Sequence, residues 1–242
     1  MRIKLVISYD GAPYMGFQIQ GDEKTIELEL VKALKNVTLE DIKIYASGRT
    51  DKGVHALGQV IHFDTSKNIS LYGWKRALNS FLPDDIRVMD VEYVSDDFHA
   101  RFSAKSKEYH YFIETGEYDL FKRNYRAFYK NLDISLMQDG LKKLCGKHNF
   151  KGFCSGSVDP RKDFCKTIYE AYIIKNGTEL EFVFKGNGFL KYQIRRMMGL
   201  IIEIGRKRDT LETIDRVFLE CDPKISHMCA PSSGLYLVKV NY

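Results

Sequence analysis

The chain has 242 residues, of which 44% are hydrophobic, enough to fill a substantial core as one large domain or two small ones. It contains no transmembrane run, and the opening Met1 to Tyr9 interleaves charge with apolar residues instead of forming the uninterrupted apolar core of a secretory segment, so a cytoplasmic location is expected. Residues 1–103 carry 13 Lys and Arg against 15 Asp and Glu, a net of −2, whereas residues 104–242 carry 24 against 17, a net of +7. Single runs such as Lys122-Arg123, Arg161-Lys162 and Arg206-Lys207-Arg208 are ordinarily solvated faces, but a one-sided excess fits a phosphate-backbone partner. Five cysteines (Cys145, Cys154, Cys165, Cys221 and Cys229) form an odd set without zinc-type spacing, and the six histidines make no ligand-like helical pair. Reduced, packing cysteines and no metal are expected.

In chain order, the pattern predicts a strand from Ile3 to Tyr9, then a helix near Thr25 to Lys35, capped by Thr25, with Leu28, Val31, Ala33 and Leu34 as its apolar face. Alternating strands follow at Ile42 to Ala46 and Gln59 to Asp64. A helix near Leu71 to Phe81 is stopped by Pro83, and a strand runs from Arg87 to Val94. The second half partly repeats this order. Its elements are a strand at Lys107 to Glu114, a helix at Ile134 to Cys145, strands near Lys166 to Ile174 and Leu180 to Lys185, helices at Leu190 to Gly205 and Thr210 to Leu219, and a strand at Leu235 to Val240. The reading is a duplicated α+β unit split into 1–103 and 104–242.

Between the strands around residues 46 and 59 lies Ser47-Gly48-Arg49-Thr50-Asp51-Lys52-Gly53-Val54-His55-Ala56, one acid among Arg, Lys and His. If this loop is locally extended, Arg49 and Asp51 share a face, and Gly48 and Gly53 permit close backbone approach by a ligand. Nearby cations favour the carboxylate, so Asp51 is expected to be anionic at neutral pH, a nucleophile or base and not a general acid. Asp-Lys-Gly is also ordinary turn chemistry, which spacing alone does not exclude.

The string GRTDKGVHALGQVIHF resembles the signature of the TruA family of tRNA pseudouridine synthases. Further blocks are similar in family order: Tyr9-Asp10-Gly11 with Tyr14-Met15-Gly16-Phe17-Gln18, Phe98 to Ala104, Lys107 to Tyr111, Phe189 to Gly199, and Ala230-Pro231 with Gly234 to Leu237. The resemblance implies two ferredoxin-like halves whose antiparallel sheets join, with an active-site cleft between them, the kind of place where ligands bind. It implies Asp51 as the catalytic carboxylate and Arg49 as the residue that enters the space vacated by a flipped nucleotide or grips its phosphate. Tyr109 is implied to stack on the target base and relay a proton. Arg195 is implied to hold the Asp in a two-point fork, which Lys would not reproduce.

Alternation places Lys105, Lys107, Tyr109 and Tyr111 on one strand face, making Lys107 a substrate-binding candidate, although a half-buried strand Tyr is equally ordinary. The implied reaction is the cofactor-free isomerisation of uridine to pseudouridine at positions 38, 39 and 40 of the anticodon stem-loop, by a homodimer with tRNA lying across both subunits. Whether Asp51 adds to uracil C6, attacks C1′ or abstracts a ribose proton stays open, as does action on other uridines of structured RNA. Lys52, where many members carry a small residue, and Ser232-Ser233, where a Pro often occurs, depart from the family pattern and bear on substrate choice. A non-catalytic RNA-binding protein would not need Asp51 among cations. A metal-independent hydrolase would need a Ser-His or second-carboxylate partner that the loop lacks.

Overall fold

The computed structural model describes residues 1–154, 163–226 and 228–242; the basic pair Arg161-Lys162 lies outside them. The chain is α+β and divides into two compact units. One comprises Met1–Lys105 with Tyr236–Tyr242, the other Ser106–Leu235.

In the first unit β1 (Arg2–Tyr9) alternates strictly between buried and half-buried residues, as a strand with one face on a core must. It pairs antiparallel with β3 (His55–Asp64) on one side and β4 (Ile86–Val94) on the other. β2 is only Tyr45–Ala46, shorter than the alternation from Ile42 suggests. Ile42 and Ile44 are buried in alternation, but periodicity reports burial, and only the last two residues find a backbone partner in β3. β2 occupies the Ile61–His62 end of β3. At the other end β10 (Leu235–Asn241) pairs parallel with His55 and Ala56, so the last residues of the chain belong to the first unit although sequence order groups them with the second.

α1 (Ile26–Thr38) and α2 (Leu71–Phe81) complete this unit. The Thr25 hydroxyl caps α1 by accepting from the Leu28 amide at 3.4 Å. Ile26, Leu30, Ala33 and Leu34 are buried, while Leu28 and Val31 are half-buried, so the apolar stripe is rotated from the expected one. Ser70 caps α2, and Trp74 and Leu78 turn inward, Trp74 meeting Phe63 edge-on at 5.6 Å. α2 also covers the outer edge of β4. The Asn79 side chain accepts from the Val88 amide at 2.8 Å and donates to the Val88 carbonyl at 3.0 Å, replacing a missing strand partner.

The second unit is built on β5 (Ser106–Glu114), β9 (Glu179–Gly186), β8 (Cys165–Asn176) and β7 (Gly146–Asn149), antiparallel in that order. The short β6 (Ala127–Phe128) runs parallel to β5. Tyr109, Tyr111 and Ile113 of β5 stand opposite Phe184, Phe182 and Leu180 of β9, forming one buried face. α3 (Ile134–Leu144), α4 (Gln193–Gly205) and α5 (Leu211–Glu220) carry the rest of the core. α4 starts three residues later than the periodicity suggests because Tyr192 takes a left-handed φ of 65° that the helix cannot continue.

Candidate active site

Residues 48–54 form the loop between β2 and β3, and buried polar groups pin it. Ser47, just past β2, still bonds to β3, its amide donating to the Val60 carbonyl at 2.8 Å. Its hydroxyl donates at 2.6 Å to the side-chain oxygen of Gln59, which is fully buried, and the Gln59 amide group donates to the Gly48 carbonyl at 2.8 Å. Gln59 thus holds the loop entrance against the strand that the loop will re-enter. Thr50 is turned inward, its hydroxyl 2.8 Å from that of buried Tyr9. Burial pushes the Tyr9 phenol up to about 12, so its hydroxyl keeps its proton.

With Thr50 inside, its neighbours face outward. Arg49 is exposed, Asp51 half-buried and Lys52 exposed. Gly53, at φ 73°, makes the sharp turn, and the Val54 amide closes it on the Asp51 carbonyl at 3.1 Å. This geometry contains the turn chemistry of Asp-Lys-Gly, here built into a larger frame.

The N-terminal block Tyr9 to Phe17 supplies the other side of that frame. The Phe17 amide donates to the Thr50 carbonyl at 3.1 Å and the Gly53 amide to the Tyr14 carbonyl at 3.4 Å. Gly16 sits at φ +99°, where a Cβ would lie 2.9 Å from the Thr50 carbonyl oxygen. At Gly11 a Cβ would lie only 2.0 Å from that of Val54. Both glycines therefore allow backbone to lie against backbone beside Asp51. His55 is buried, its Nδ1 accepting from the Gly11 amide at 3.1 Å and its ring stacked on Tyr236 at 4.6 Å. It joins the two blocks and β10.

In the second unit Tyr109 is 8% exposed on β5, its ring meeting Phe189 edge-on at 5.3 Å. Lys107 is half-buried on the same strand, opposite Gly186, where a Cβ would press on Phe189 at 3.2 Å. Tyr111 is fully buried, donates to the Pro231 carbonyl at 3.0 Å, and has its phenol pushed well up by burial. Tyr109 and Tyr111 share a strand face, but Tyr111 is a core residue.

Arg195 and Arg196 lie in the first turn of α4, and neither is the solvated basic face that is the default for such a pair. Both are half-buried. Arg195 Nε donates to the Ala230 carbonyl at 2.8 Å while the Ala230 amide donates to the Arg195 carbonyl at 2.9 Å, and the guanidinium lies 5.3 Å from the Tyr192 ring. Arg196 donates to the Pro223 carbonyl at 2.7 Å. At Gly199 a Cβ would lie 2.1 Å from the Met228 carbonyl, so this helix rests directly on the backbone that precedes Ala230. The plane of the Arg195 fork is set by this packing. Of the two departures from the family pattern, Ser233 donates to the Arg126 carbonyl at 3.1 Å, a local tie, and Lys52 points outward from the loop.

A model of the family described as tRNA pseudouridine synthase matches residues 5–103 and 141–242, most of the chain. Relatives named tRNA pseudouridine synthase A align along its whole length. One from Geobacillus sp. (strain WCH70) is 44% identical over 100% of this chain and 98% of its own. Those from Oceanobacillus iheyensis and Exiguobacterium sp. (strain ATCC BAA-1283 / AT1b) are 42% and 43% identical, again over 100% of this chain and 96% and 98% of theirs. The chain belongs to the tRNA pseudouridine synthase family.

The chain is accordingly an isomerase. The segments matched by the tRNA pseudouridine synthase model contain Arg49, Asp51 and Arg195, whereas Lys107 and Tyr109 fall in the intervening stretch, covered by the full-length relatives. Sequence reasoning did not single out Gln59 or Tyr9 as supports of the Asp51 loop. The available signal was Gln59 itself, a polar residue opening the apolar run Val60-Ile61 of a strand.

Proposed function

We propose that this protein converts uridine to pseudouridine in the anticodon stem-loop of tRNA, with Asp51 as an anionic catalytic carboxylate. The observation that carries the reading is a half-buried acid on a loop pinned by Gln59, Thr50 and the Gly11 and Gly16 backbone, in a chain of the tRNA pseudouridine synthase family. A reaction that breaks and remakes a bond to the same ribose carbon needs a carboxylate of fixed position, and preorganisation of this kind supplies it.

The chemistry balances without cofactor or redox partner. The C1′–N1 bond breaks, the base turns, C1′ bonds to C5, the C5 proton leaves and N1 takes one up. Asp51 stabilises the detached ribose or base through one of three routes: addition to C6, attack at C1′, or abstraction of a ribose proton. Arg49, exposed beside the inward-turned Thr50, occupies the space left by the flipped nucleotide or holds its phosphate. Tyr109 stacks on the base, with Lys107 on the same strand drawing in phosphate. Arg195, its fork oriented by Ala230 and Tyr192, holds the carboxylate. The working form is a homodimer in the cytoplasm. No helix among the described residues is long and apolar enough to cross a membrane.

The test is tritium release from tRNA transcripts labelled at uridine C5, with and without uridines in the anticodon stem-loop. Release that disappears with those uridines is expected. Release that persists would move the target to other uridines, and tight binding without release would leave an RNA-binding protein.

A further inference from the structure

We propose that one face of α2, completed by Arg87 of β4, binds backbone phosphates of the substrate RNA beside the catalytic loop. The proposal rests on the reading of this chain as an enzyme acting on tRNA, and it names a contact that the catalytic assignments do not use.

Tyr72, Lys75, Arg76, Asn79 and Ser80 recur at i, i+3, i+4, i+7 and i+8, so they line one face of the helix, turned away from buried Trp74 and Leu78. Together with Arg87 they line a single shallow depression that contains no carboxylate. The absence of acid is peculiar to this helix. α1 carries Glu27 and Glu29, α3 Asp139, α4 Glu203, and α5 Glu212, Asp215 and Glu220, whereas α2 has none. On α1, α3 and α5 cations are paired within the helix, as in Lys32 with Glu29, Lys142 with Asp139 and Arg216 with Glu220. Arg76 and Arg87 are exposed and have no ion-pair partner among the described residues. A solvated face that serves only solubility mixes signs, and this one does not.

Three features make it a surface for RNA backbone in particular. The face is held in place: Asn79 spends both ends of its amide on Val88, and Lys75 donates to the Met89 carbonyl at 2.6 Å, which fixes the helix and one ammonium against β4. Tyr72 is 75% exposed at the same face, a ring available to lie on a ribose or an unpaired base.

The third feature is position. Arg87 stands opposite Ser8 of β1, whose hydroxyl donates to the Ala56 carbonyl at 3.0 Å, so two strand spacings, roughly 10 Å, separate it from the start of β3. The preceding residue, Ile86, stands opposite Tyr9, the partner of Thr50. The Arg87 end of the patch therefore lies at the Asp51 end of the sheet, a span that an RNA backbone crosses in a few nucleotides, and the helix face leads away from it along β4. The surrounding half of the chain is net negative, so this is a local concentration of positive charge and not an overflow of a basic domain.

The experiment compares wild type with the double variant Arg76→Gln/Arg87→Gln and with Arg76→Lys/Arg87→Lys, in the full chain. It measures Kd for a tRNA transcript across a salt series and, in parallel, tritium release from the same transcript. For the Gln pair the expected result is a Kd raised about tenfold and a log–log salt slope smaller by roughly 1.4 to 1.8, the share of two phosphates, with an unchanged thermal unfolding curve. The Lys pair keeps the slope. Equal Kd and slope in all three proteins, with wild-type release intact, would overturn the contact and leave the function standing. Wild-type binding with a patch-dependent slope but no release would sustain the contact and overturn the catalytic reading.

Discussion

Replacing Gln59 with Leu removes the brace of the Asp51 loop while keeping side-chain size. The side chain is fully buried and holds two groups, the hydroxyl of buried Ser47 at 2.6 Å and the carbonyl of half-buried Gly48 at 2.8 Å. Leaving a buried polar group unsatisfied costs about 1–3 kcal/mol, so the Ser47 hydroxyl sets a loss of about 1–3 kcal/mol, to which the half-buried Gly48 carbonyl adds less because water reaches it, and which falls where the hydroxyl rotates to another acceptor. For a protein of this size each kcal/mol lowers Tm by roughly 2–4 °C. The assay is thermal or urea unfolding of Gln59→Leu, Ser47→Ala and the double variant, with kcat read on the same preparations. The double variant is expected to be less destabilised than the sum of the singles, because removing both partners strands fewer groups. Gln59→Leu is also expected to lose kcat beyond any loss of folded protein, since the group displaced leads directly to Asp51. A Gln59→Leu protein within about 0.5 kcal/mol of wild type and fully active would refute the reasoning.

Three further outcomes follow from the same geometry. Gly16→Ala forces an L-residue to φ +99° and puts a Cβ 2.9 Å from the Thr50 carbonyl oxygen. At a cost of about 1–3 kcal/mol it is expected to lower kcat by displacing the Asp51 loop while far-UV circular dichroism stays native, and an unchanged kcat would contradict this. His62 is buried, its Nδ1 accepting from the Ala100 amide at 3.1 Å, and burial first, then the nearby His99 and Arg2, push it down to about 4. Because the unfolded imidazole binds a proton near pH 6.5 that the folded one refuses, its contribution is complete above pH 6.5 and is lost as pH falls toward 4. His62→Gln should flatten that limb of the urea midpoint against pH, and identical profiles would exclude it. Arg195→Lys gives up the Nε bond to Ala230 and the planar fork over Tyr192, so activity is expected to fall steeply with little change in Tm, and full activity would remove Arg195 from the site.

The positions of the elements were legible where a core face imposes a period. β1 and α2 follow from alternation and from an apolar stripe ended by Pro83, because burial dictates both. The rotated stripe of α1 shows the limit of that signal. Leu28 and Val31 are as apolar as Leu30, and only the packed partners decide which of them turn inward. The return of β10 to β3 was not legible, since a parallel contact of two residues, His55 with Tyr236 and Ala56 with Leu237, leaves no pattern in either strand. At the site, the acid among cations drew attention to Asp51, but the supports of its loop did not show, because Gln59 reaches back 11 residues to Gly48, and Tyr9 and Gly11 reach forward 41 and 44 residues to Thr50 and His55. Arg195 was legible as the fork that the family resemblance implies, but not the bond to Ala230 that orients it, which crosses 35 residues.

The central claim is that Asp51 performs the chemistry, and Asp51→Asn tests it most directly. The substitution keeps size and hydrogen-bonding atoms while removing the negative charge. The variant should bind tRNA as tightly as wild type and release no tritium from uridine C5, with its unfolding curve unchanged. Release at the wild-type rate from a folded Asp51→Asn protein would contradict the account and remove the carboxylate from the reaction.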